Sequence, residues 1–175
     1  MIRTDIAILV VRNKKSFNFK VNKNINSFAN NWKNNSLDTI RLLINRKEVF
    51  SCRVQTVANH PDNRGENDTI QNGKFQVKCF VEPRLFRPRI HGIINTVDMD
   101  GQKIDHESMQ YEGGYQNGRW LIHSRWSQKT KADTNYAWSL GCFILSSPDL
   151  DWLNKHLDSA GANPGDIING ELITI

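Results

Sequence analysis

The sequence has no long apolar run. Its apolar runs, such as Ile6 to Val11 and Phe143 to Leu145, fall far short of the ~18 residues with which a helix crosses a bilayer. Ile6 to Val11 is also too short for the apolar region of a secretory signal, and basic residues follow it. We therefore expect no membrane span and no secretory signal within this sequence.

Cysteine is scarce, and the spacings typical of metal ligands are missing. Cys52, Cys79 and Cys142 form no C-x-x-C pair, and an odd number of cysteines argues against a disulfide framework and leaves at least one thiol free. None of the five histidines pairs with another at the H-x-x-x-H or H-E-x-x-H spacing. We therefore expect no metal site.

A large excess of charge of either sign is also missing. The chain has 23 Lys and Arg against 18 Asp and Glu, which gives +5 and a pI near 9.2. A mild basic excess suits an anionic partner such as nucleic acid, a cell-wall polymer or a membrane surface, but it is also ordinary solubility charge. We prefer the second interpretation and expect no nucleic-acid partner.

β-rich segments separated by turn formers dominate the chain. Its 175 residues fit one domain, or one domain with an extension. A helix is predicted over residues 149–160, with Ser147 as its cap. Predicted strands cover residues 6–11, 17–21, 39–44, 49–57, 73–82, 89–97, 119–124, 140–145 and 167–175. We predict a mostly-β sandwich or barrel with one C-terminal helix. In this prediction residues 1–37, strands plus a polar segment, are an N-terminal extension of a domain at 38–175.

Two residues have a position that suits nucleophilic chemistry. His123 ends the apolar run 120–122, and Cys142 lies where a turn enters a buried strand. A thiol reacts as the thiolate, and an imidazole at a neighbouring strand end can take its proton. Gly141 permits a tight turn whose backbone N–H groups would hold an oxyanion, and Ser139 can orient the histidine. On chemistry alone, a buried core thiol and a hydrogen-bonded surface histidine remain the alternative interpretation.

The arrangement also resembles a known family. His123, fifteen intervening residues and then Ser139-x-Gly141-Cys142 is similar to the signature of L,D-transpeptidase catalytic (YkuD-like) domains. The segment at residues 69–75 is similar to the Thr-Pro-x-Gly-x-Phe/Tyr element of that family. The resemblance covers the whole predicted domain.

Three positions depart from the pattern of that family. Leu140 stands where the family usually has His, Ile70 where it usually has Pro, and Ile144 where it usually has Arg, two residues after the cysteine. Without this Arg, the sequence predicts a site that lacks a fixed positive charge near the thiolate or the substrate.

The resemblance implies a peptidoglycan enzyme of the cell envelope or one that is exported. Cys142 would attack the carbonyl of an L-centre to D-centre peptide bond in a stem peptide and form a thioester, with His123 as the base and without a cofactor. An amine acceptor would give L,D-transpeptidation, and water would give L,D-carboxypeptidase or endopeptidase activity. Trp126, Tyr136 and Trp138 would form part of the substrate wall.

Two other functional classes fit the same pattern. One is a catalytically silent β domain that binds cell wall or another protein. The other is a small nucleic-acid-binding β domain, which the basic and aromatic residues over 14–23 would suit. His91 is a candidate second active-site histidine, although we prefer a strand histidine with no chemical role.

Overall fold

The structure, a computed structural model, describes most of the chain. Over the described residues the protein is mostly β, with one α-helix close to the C-terminus, so the predicted fold class is confirmed. The described residues are 1–19, 21, 37–60, 68–81, 89–104, 110–111, 114–115, 120–127, 132–133 and 138–175.

The elements follow one another along the chain as strands β1 to β14 and helix α1, with a short 3₁₀ helix after β1. Their bounds are β1 Ile2–Arg12, the 3₁₀ helix Lys14–Asn18, β2 Asp38–Ile44, β3 Lys47–Val54, β4 Gly73–Val81, β5 Ile90–Ile94, β6 Thr96–Val97, β7 Lys103–Ile104, β8 Gln110–Tyr111, β9 Gly114–Tyr115, β10 Leu121–Ser124, β11 Trp126–Ser127, β12 Ala132–Asp133, β13 Phe143–Leu145, α1 Ser147–Ser159 and β14 Ile167–Thr174.

Eight strands form one sheet in the order β13-β10-β5-β4-β14-β1-β2-β3. The β1–β14 and β10–β13 pairs are parallel, and the other neighbours are antiparallel. Just past β3, Gln55 pairs with Ile144 of β13 through two backbone hydrogen bonds of 2.8 and 3.0 Å. Because this bridge joins the two edge strands, the sheet nearly closes on itself around the apolar core.

The strand order corrects the expected division of the chain. β1 lies between β14 and β2, in the interior of the sheet, and its residues Ile6, Ile8 and Val10 are buried in the core. A strand that is paired on both sides and carries core side chains is part of the domain rather than an extension of it. The boundary expected after residue 37 therefore does not set residues 1–12 apart from the domain.

A buried polar network ties the end of β1 to its surroundings. The Arg12 guanidinium donates to Thr56 Oγ1 at 2.7 Å and to the Ile70 carbonyl at 2.8 Å. Thr56 in turn donates to the Asp38 carboxylate at 2.6 Å. Burial lowers the pKa of Arg12 to about 10, and the charge of Asp38 opposes this shift. The network links β1 to β2 and to the segment after β3.

The strand predicted over residues 17–21 is wrong where the structure describes it. Lys14–Asn18 forms a 3₁₀ helix instead, and the Asn13 side chain caps it by accepting from a backbone N–H of its first turn. The Ser16 hydroxyl donates to the Asp38 carboxylate. Such side-chain bonds offer the chain an alternative to a strand, and here they override the alternation of apolar residues.

The hairpin predicted over residues 39–57 is confirmed as β2 and β3. Its turn residues Asn45 and Arg46 have φ values of 50° and 65°. Two consecutive positive φ values are typical of a type I′ turn, whose twist matches that of the flanking strands.

Helix α1 packs on the inner side of the curled sheet. It begins at Ser147 and is capped by Ser146, one residue before the predicted cap. Asn154 of the helix bonds to Nε2 of His91 on β5 at 2.8 Å. The apolar face of the helix consists of Leu150, Leu153 and Leu157. No helix within the described residues is long and apolar enough to cross a membrane.

Candidate active site

The two predicted catalytic residues lie on or directly next to the neighbouring strands β10 and β13. The strands pair in parallel, with His123 beside Ile144. Cys142 directly precedes β13, and the alternation of side chains along a strand, extended by one residue, predicts that it shares the face of His123. The register therefore brings the imidazole and the thiol to neighbouring strands and predicts that they lie on the same face.

A backbone carbonyl fixes the tautomer of His123. The residue is 3% exposed, and its Nδ1 lies 2.6 Å from the carbonyl oxygen of Ser124. Because a carbonyl only accepts, Nδ1 carries the proton and Nε2 is the nitrogen that can take one. Ser124 thus provides the orientation that the sequence assigns to Ser139.

Ser139 instead holds the turn that precedes the cysteine. Its hydroxyl donates to the Cys142 carbonyl at 2.7 Å and accepts from the Gly141 N–H at 2.9 Å. Its own backbone carbonyl accepts from the N–H of Asn59 at 3.1 Å. The expectation that the Gly141 N–H holds an oxyanion is corrected, because this donor is engaged inside the turn. The Cys142 N–H stays a predicted oxyanion donor.

Both the backbone conformation and the lack of space require a glycine at position 141. Its φ is +121°, and a Cβ at this position would lie 2.5 Å from the Asp68 carbonyl oxygen and 2.5 Å from Trp120 Nε1. Trp120 Nε1 donates to the same Asp68 carbonyl at 2.8 Å. The segment at residues 68–75, which includes the second element of the resemblance, therefore begins against the cysteine turn.

Arg125 brings a positive charge to the site, which corrects the expectation drawn from Ile144. It directly follows β10, two residues after His123. Burial lowers the pKa of Arg125, and the charge of an ionised Cys142 opposes that shift. Since the charge of Cys142 affects the pKa of Arg125, the guanidinium and the thiol lie within electrostatic range of each other.

The structure describes one side chain of the predicted aromatic wall. The Arg125 guanidinium carbon lies 3.8 Å from the ring centroid of Trp138, and His60 meets the same ring edge-on with centroids 4.5 Å apart. Trp126 is placed by its backbone in β11. Tyr136 lies outside the described residues. Trp138 thus stands beside the cation of the site.

Three polar side-chain atoms on the segments of this site are buried without a hydrogen-bond partner among the described residues. They are Arg125 Nε, Asn59 Nδ2 and Gln55 Oε1; the fourth atom of this kind in the described part, Asp98 Oδ2, lies in a hairpin turn elsewhere. Gln55 pairs with β13, and Asn59 Oδ1 accepts from the Ser139 N–H at 2.9 Å. A buried unsatisfied polar atom costs about 1–3 kcal/mol, so each of these atoms calls for a partner beyond the described residues.

The surroundings of the remaining thiols and of His91 keep these groups uncharged. Burial raises the pKa of Cys79 to about 12 and also raises the pKa of Cys52. His91 is 1% exposed, accepts from the Phe80 N–H at Nδ1 and donates from Nε2 to Asn154. Burial lowers the pKa of His91 to about 4. It is a neutral strand histidine inside the core, as preferred from the sequence.

An uncharacterized protein of Treponema pallidum (strain Nichols) is 46% identical to this chain over 182 aligned residues. The alignment covers 98% of this chain and 82% of the treponemal protein. The chain belongs to the family of that protein. No protein-family model matches the chain, and no solved structure matches it. Membership of this family assigns no activity, so the function has to be argued from the site.

Sequence reasoning missed Arg125, Asn59 and the carbonyl of Ser124. For Arg125 a signal was present, because it directly follows the strand that carries His123. Asn59 lies in a stretch rich in turn formers, which is typical of a solvated loop. Its bonds to Ser139 join residues 80 positions apart, and no local pattern indicates them.

Proposed function

We propose that the chain is a cysteine-dependent enzyme of the L,D-transpeptidase type that acts on peptidoglycan stem peptides. The observation that carries this proposal is the bond from His123 Nδ1 to the Ser124 carbonyl, because it makes Nε2 a base on the face that we predict Cys142 to share. A cation nearby, Arg125, favours the thiolate over the thiol. A base and a cation beside a cysteine are what an activated nucleophile needs.

The first half of the proposed reaction forms a thioester. Cys142 Sγ attacks the carbonyl carbon of a peptide bond between an L-centre and a D-centre. His123 Nε2 takes the thiol proton and gives it to the leaving amine, so that the C–N bond breaks after the C–S bond has formed. The backbone N–H of Cys142 is the proposed donor to the oxyanion of the tetrahedral intermediate.

The second half transfers the acyl group to an acceptor. His123 takes a proton from an incoming amine or water, which attacks the thioester, and the proton returns to the Cys142 sulfur as the C–S bond breaks. An amine gives a cross-link, and water gives a shortened peptide. Peptidoglycan lies outside the cytoplasm, so we propose that the enzyme acts in the cell envelope or after export.

Digestion of purified peptidoglycan fragments, followed by mass spectrometry, tests the proposal. The wild-type protein is expected to remove a terminal D-residue, cleave a stem peptide or create a new cross-link. Cys142→Ala is expected to do none of these, because the nucleophile is gone. Cys52→Ala makes the same chemical change at a half-buried thiol with a raised pKa and is expected to keep the activity.

Two outcomes would contradict the proposal. Products that form equally well with Cys142→Ala would exclude Cys142 as the nucleophile. A folded wild-type protein that changes no type of peptidoglycan would exclude the enzyme and favour a catalytically silent β domain.

A further inference from the structure

A groove of about 630 Å³ lies on the outer face of the sheet and crosses the strands β2, β1, β14 and β4. This volume falls in the range of ligand-binding clefts, roughly 300–1,000 Å³. No described residue of the candidate active site lines it. The side chains that give this outer groove its chemistry include those of Ala7, Leu43, Lys74, Gln76, Asn169 and Glu171, all of them exposed or half-buried.

An irregularity in β1 accounts for the outer groove. Arg3 pairs with Ile168 of β14, and the next pair is Ala7 with Asn169, so residues 4–6 of β1 have no partner on β14. Extra residues in one strand bend it away from its neighbour, and such irregularities are common beside functional sites. The groove lies where the regular pairing resumes.

Three side-chain amides in a row form one wall of the outer groove. Asn95 Nδ2 donates to Gln76 Oε1 at 2.6 Å, and Gln76 Nε2 donates to Asn169 Oδ1 at 3.2 Å. The amides come from the residue after β5, from β4 and from β14, so each fixes the orientation of the next. Asn169 Nδ2, at the end of the row, has no hydrogen-bond partner among the described residues. The row therefore offers a ligand a donor whose direction is already set.

Beyond Asn169 the same wall becomes apolar. In the register of the sheet Asn169 lies beside Ala7 of β1, and Ala7 lies beside Leu43 of β2. Leu9, on the same face of β1, also lines the groove. Ala7 is the smallest of these side chains, so it leaves the most room above β1. An amide donor next to a small apolar space suits an acetamido group, whose carbonyl accepts a hydrogen bond and whose methyl is apolar.

The two charged residues of the outer groove cancel each other. Lys74 of β4 and Glu171 of β14 are directly opposite in the register, yet the ion pairs of the described residues include neither. One positive and one negative group give no net charge, which disfavours a polyanion such as nucleic acid. The groove also lies on the face of the sheet, where the backbone groups are paired between strands, so a peptide cannot add to it as a further strand.

We infer that the outer groove is a second binding site, which holds an oligosaccharide of N-acetylated sugars. The acetamido carbonyl accepts from Asn169 Nδ2, and its methyl packs on Ala7 and Leu43. Sugar hydroxyls, which both donate and accept, bond to Lys74 and Glu171. The inference goes beyond the proposed function, because it does not involve the candidate nucleophile and holds equally for a catalytically silent domain.

Nuclear magnetic resonance with two sugars that differ in one group tests the site. The isotope-labelled wild type is titrated with a β-1,4-linked tetramer of N-acetylglucosamine and with the matching tetramer of glucose. The N-acetylated tetramer is expected to shift the backbone N–H signals of Ala7 and Asn169. It is expected to bind about 10- to 50-fold more tightly than the glucose tetramer, the range expected for one hydrogen bond and one buried methyl group.

Matched variants separate the outer groove from general effects. Asn169→Ala removes the donor and is expected to lower the affinity for the N-acetylated tetramer by about 2- to 10-fold. Ala7→Leu removes no donor but fills the apolar space, and it is expected to weaken binding at least about fivefold. Asn72→Ala makes the first change at another exposed asparagine that accepts one side-chain bond, at 2.6 Å from Thr174, and is expected to bind like the wild type. Thermal unfolding shows which variants fold, and either groove variant alone suffices for the test.

Four outcomes would overturn the inference. They are a folded wild type that binds neither tetramer, equal affinities for the two tetramers, shifted signals that lie outside the outer groove, and an affinity that the folded groove variants leave unchanged. Cys142→Ala is expected to bind the sugar like the wild type. Sugar binding in the outer groove by a protein that turns over no stem peptide would contradict the proposed function and support the inference.

Discussion

The turn before the cysteine can be tested by adding a single methyl group. In Gly141→Ala the new Cβ would lie 2.5 Å from the Asp68 carbonyl oxygen and 2.5 Å from Trp120 Nε1, closer than real Cβ atoms come to other atoms. One of these neighbours is backbone, and the other is held by its own hydrogen bond to that backbone. Neither can move without disturbing the turn. The substitution therefore tests whether this packing is as tight as the geometry requires.

A second glycine isolates the backbone part of the effect. Gly73 has a φ of +133°, close to the +121° of Gly141, but a Cβ there meets nothing within 4 Å. Gly73→Ala is expected to lower the free energy of unfolding by about 1–3 kcal/mol, the cost of an unfavourable backbone conformation. Gly141→Ala adds about 1–3 kcal/mol for overpacking, which gives a total of about 2–6 kcal/mol.

The assay is urea unfolding of the wild type and the two variants, monitored by tryptophan fluorescence. The same samples are treated with iodoacetamide to measure how fast Cys142 is alkylated in the native state. We expect the larger loss of stability and a changed alkylation rate for Gly141→Ala only. If Gly141→Ala is no less stable than Gly73→Ala, the close contact of the turn with Asp68 and Trp120 is refuted.

Three further predictions follow from the same structure. Lowering the pH from 7 to 4 should reduce the free energy of unfolding by about 3 kcal/mol through His91. The unfolded side chain takes up a proton near pH 6.5, but the buried one does so only near pH 4. In His91→Gln, the free energy of unfolding measured with urea should no longer show this part of the pH dependence. A variant with the pH profile of the wild type would contradict this prediction. Iodoacetamide should modify Cys142 of the native protein before Cys52 and Cys79, because burial raises the pKa values of those two thiols. Peptide mapping measures the order of modification, and the opposite order would contradict this prediction. A chain that begins at residue 38 lacks the central strand β1 and should not fold; cooperative unfolding of this fragment by circular dichroism would contradict that.

The parts of the fold that depend on neighbouring residues could be predicted from the sequence. Asn45 and Arg46 sit between two β-rich runs and give the β2–β3 hairpin, and a serine followed by proline marks the start of α1. The place of β1 in the sheet could not be predicted. It is set by pairing with β14, more than 150 residues away, and no local pattern encodes that pairing.

The candidate site divides in the same way. His123 and Cys142 are visible because each stands at a recognisable junction of a strand and a turn. The role of Ser139 was misassigned, since a hydroxyl three residues before the cysteine bonds more readily within its own turn than across to another strand. Arg125 could be placed next to the strand of the histidine, but its missing acceptor is visible only once burial is known.

The central claim is that Cys142 forms a thioester with a stem peptide, and intact-protein mass spectrometry tests it most directly. The protein is mixed with a stem tetrapeptide, the reaction is quenched in acid, and peptide mapping locates the modified residue. The account predicts a mass increase equal to the donor minus its leaving residue, located on Cys142 and retained in Cys52→Ala. Turnover of the peptide without this adduct, and at the same rate in Cys142→Ala, would contradict it.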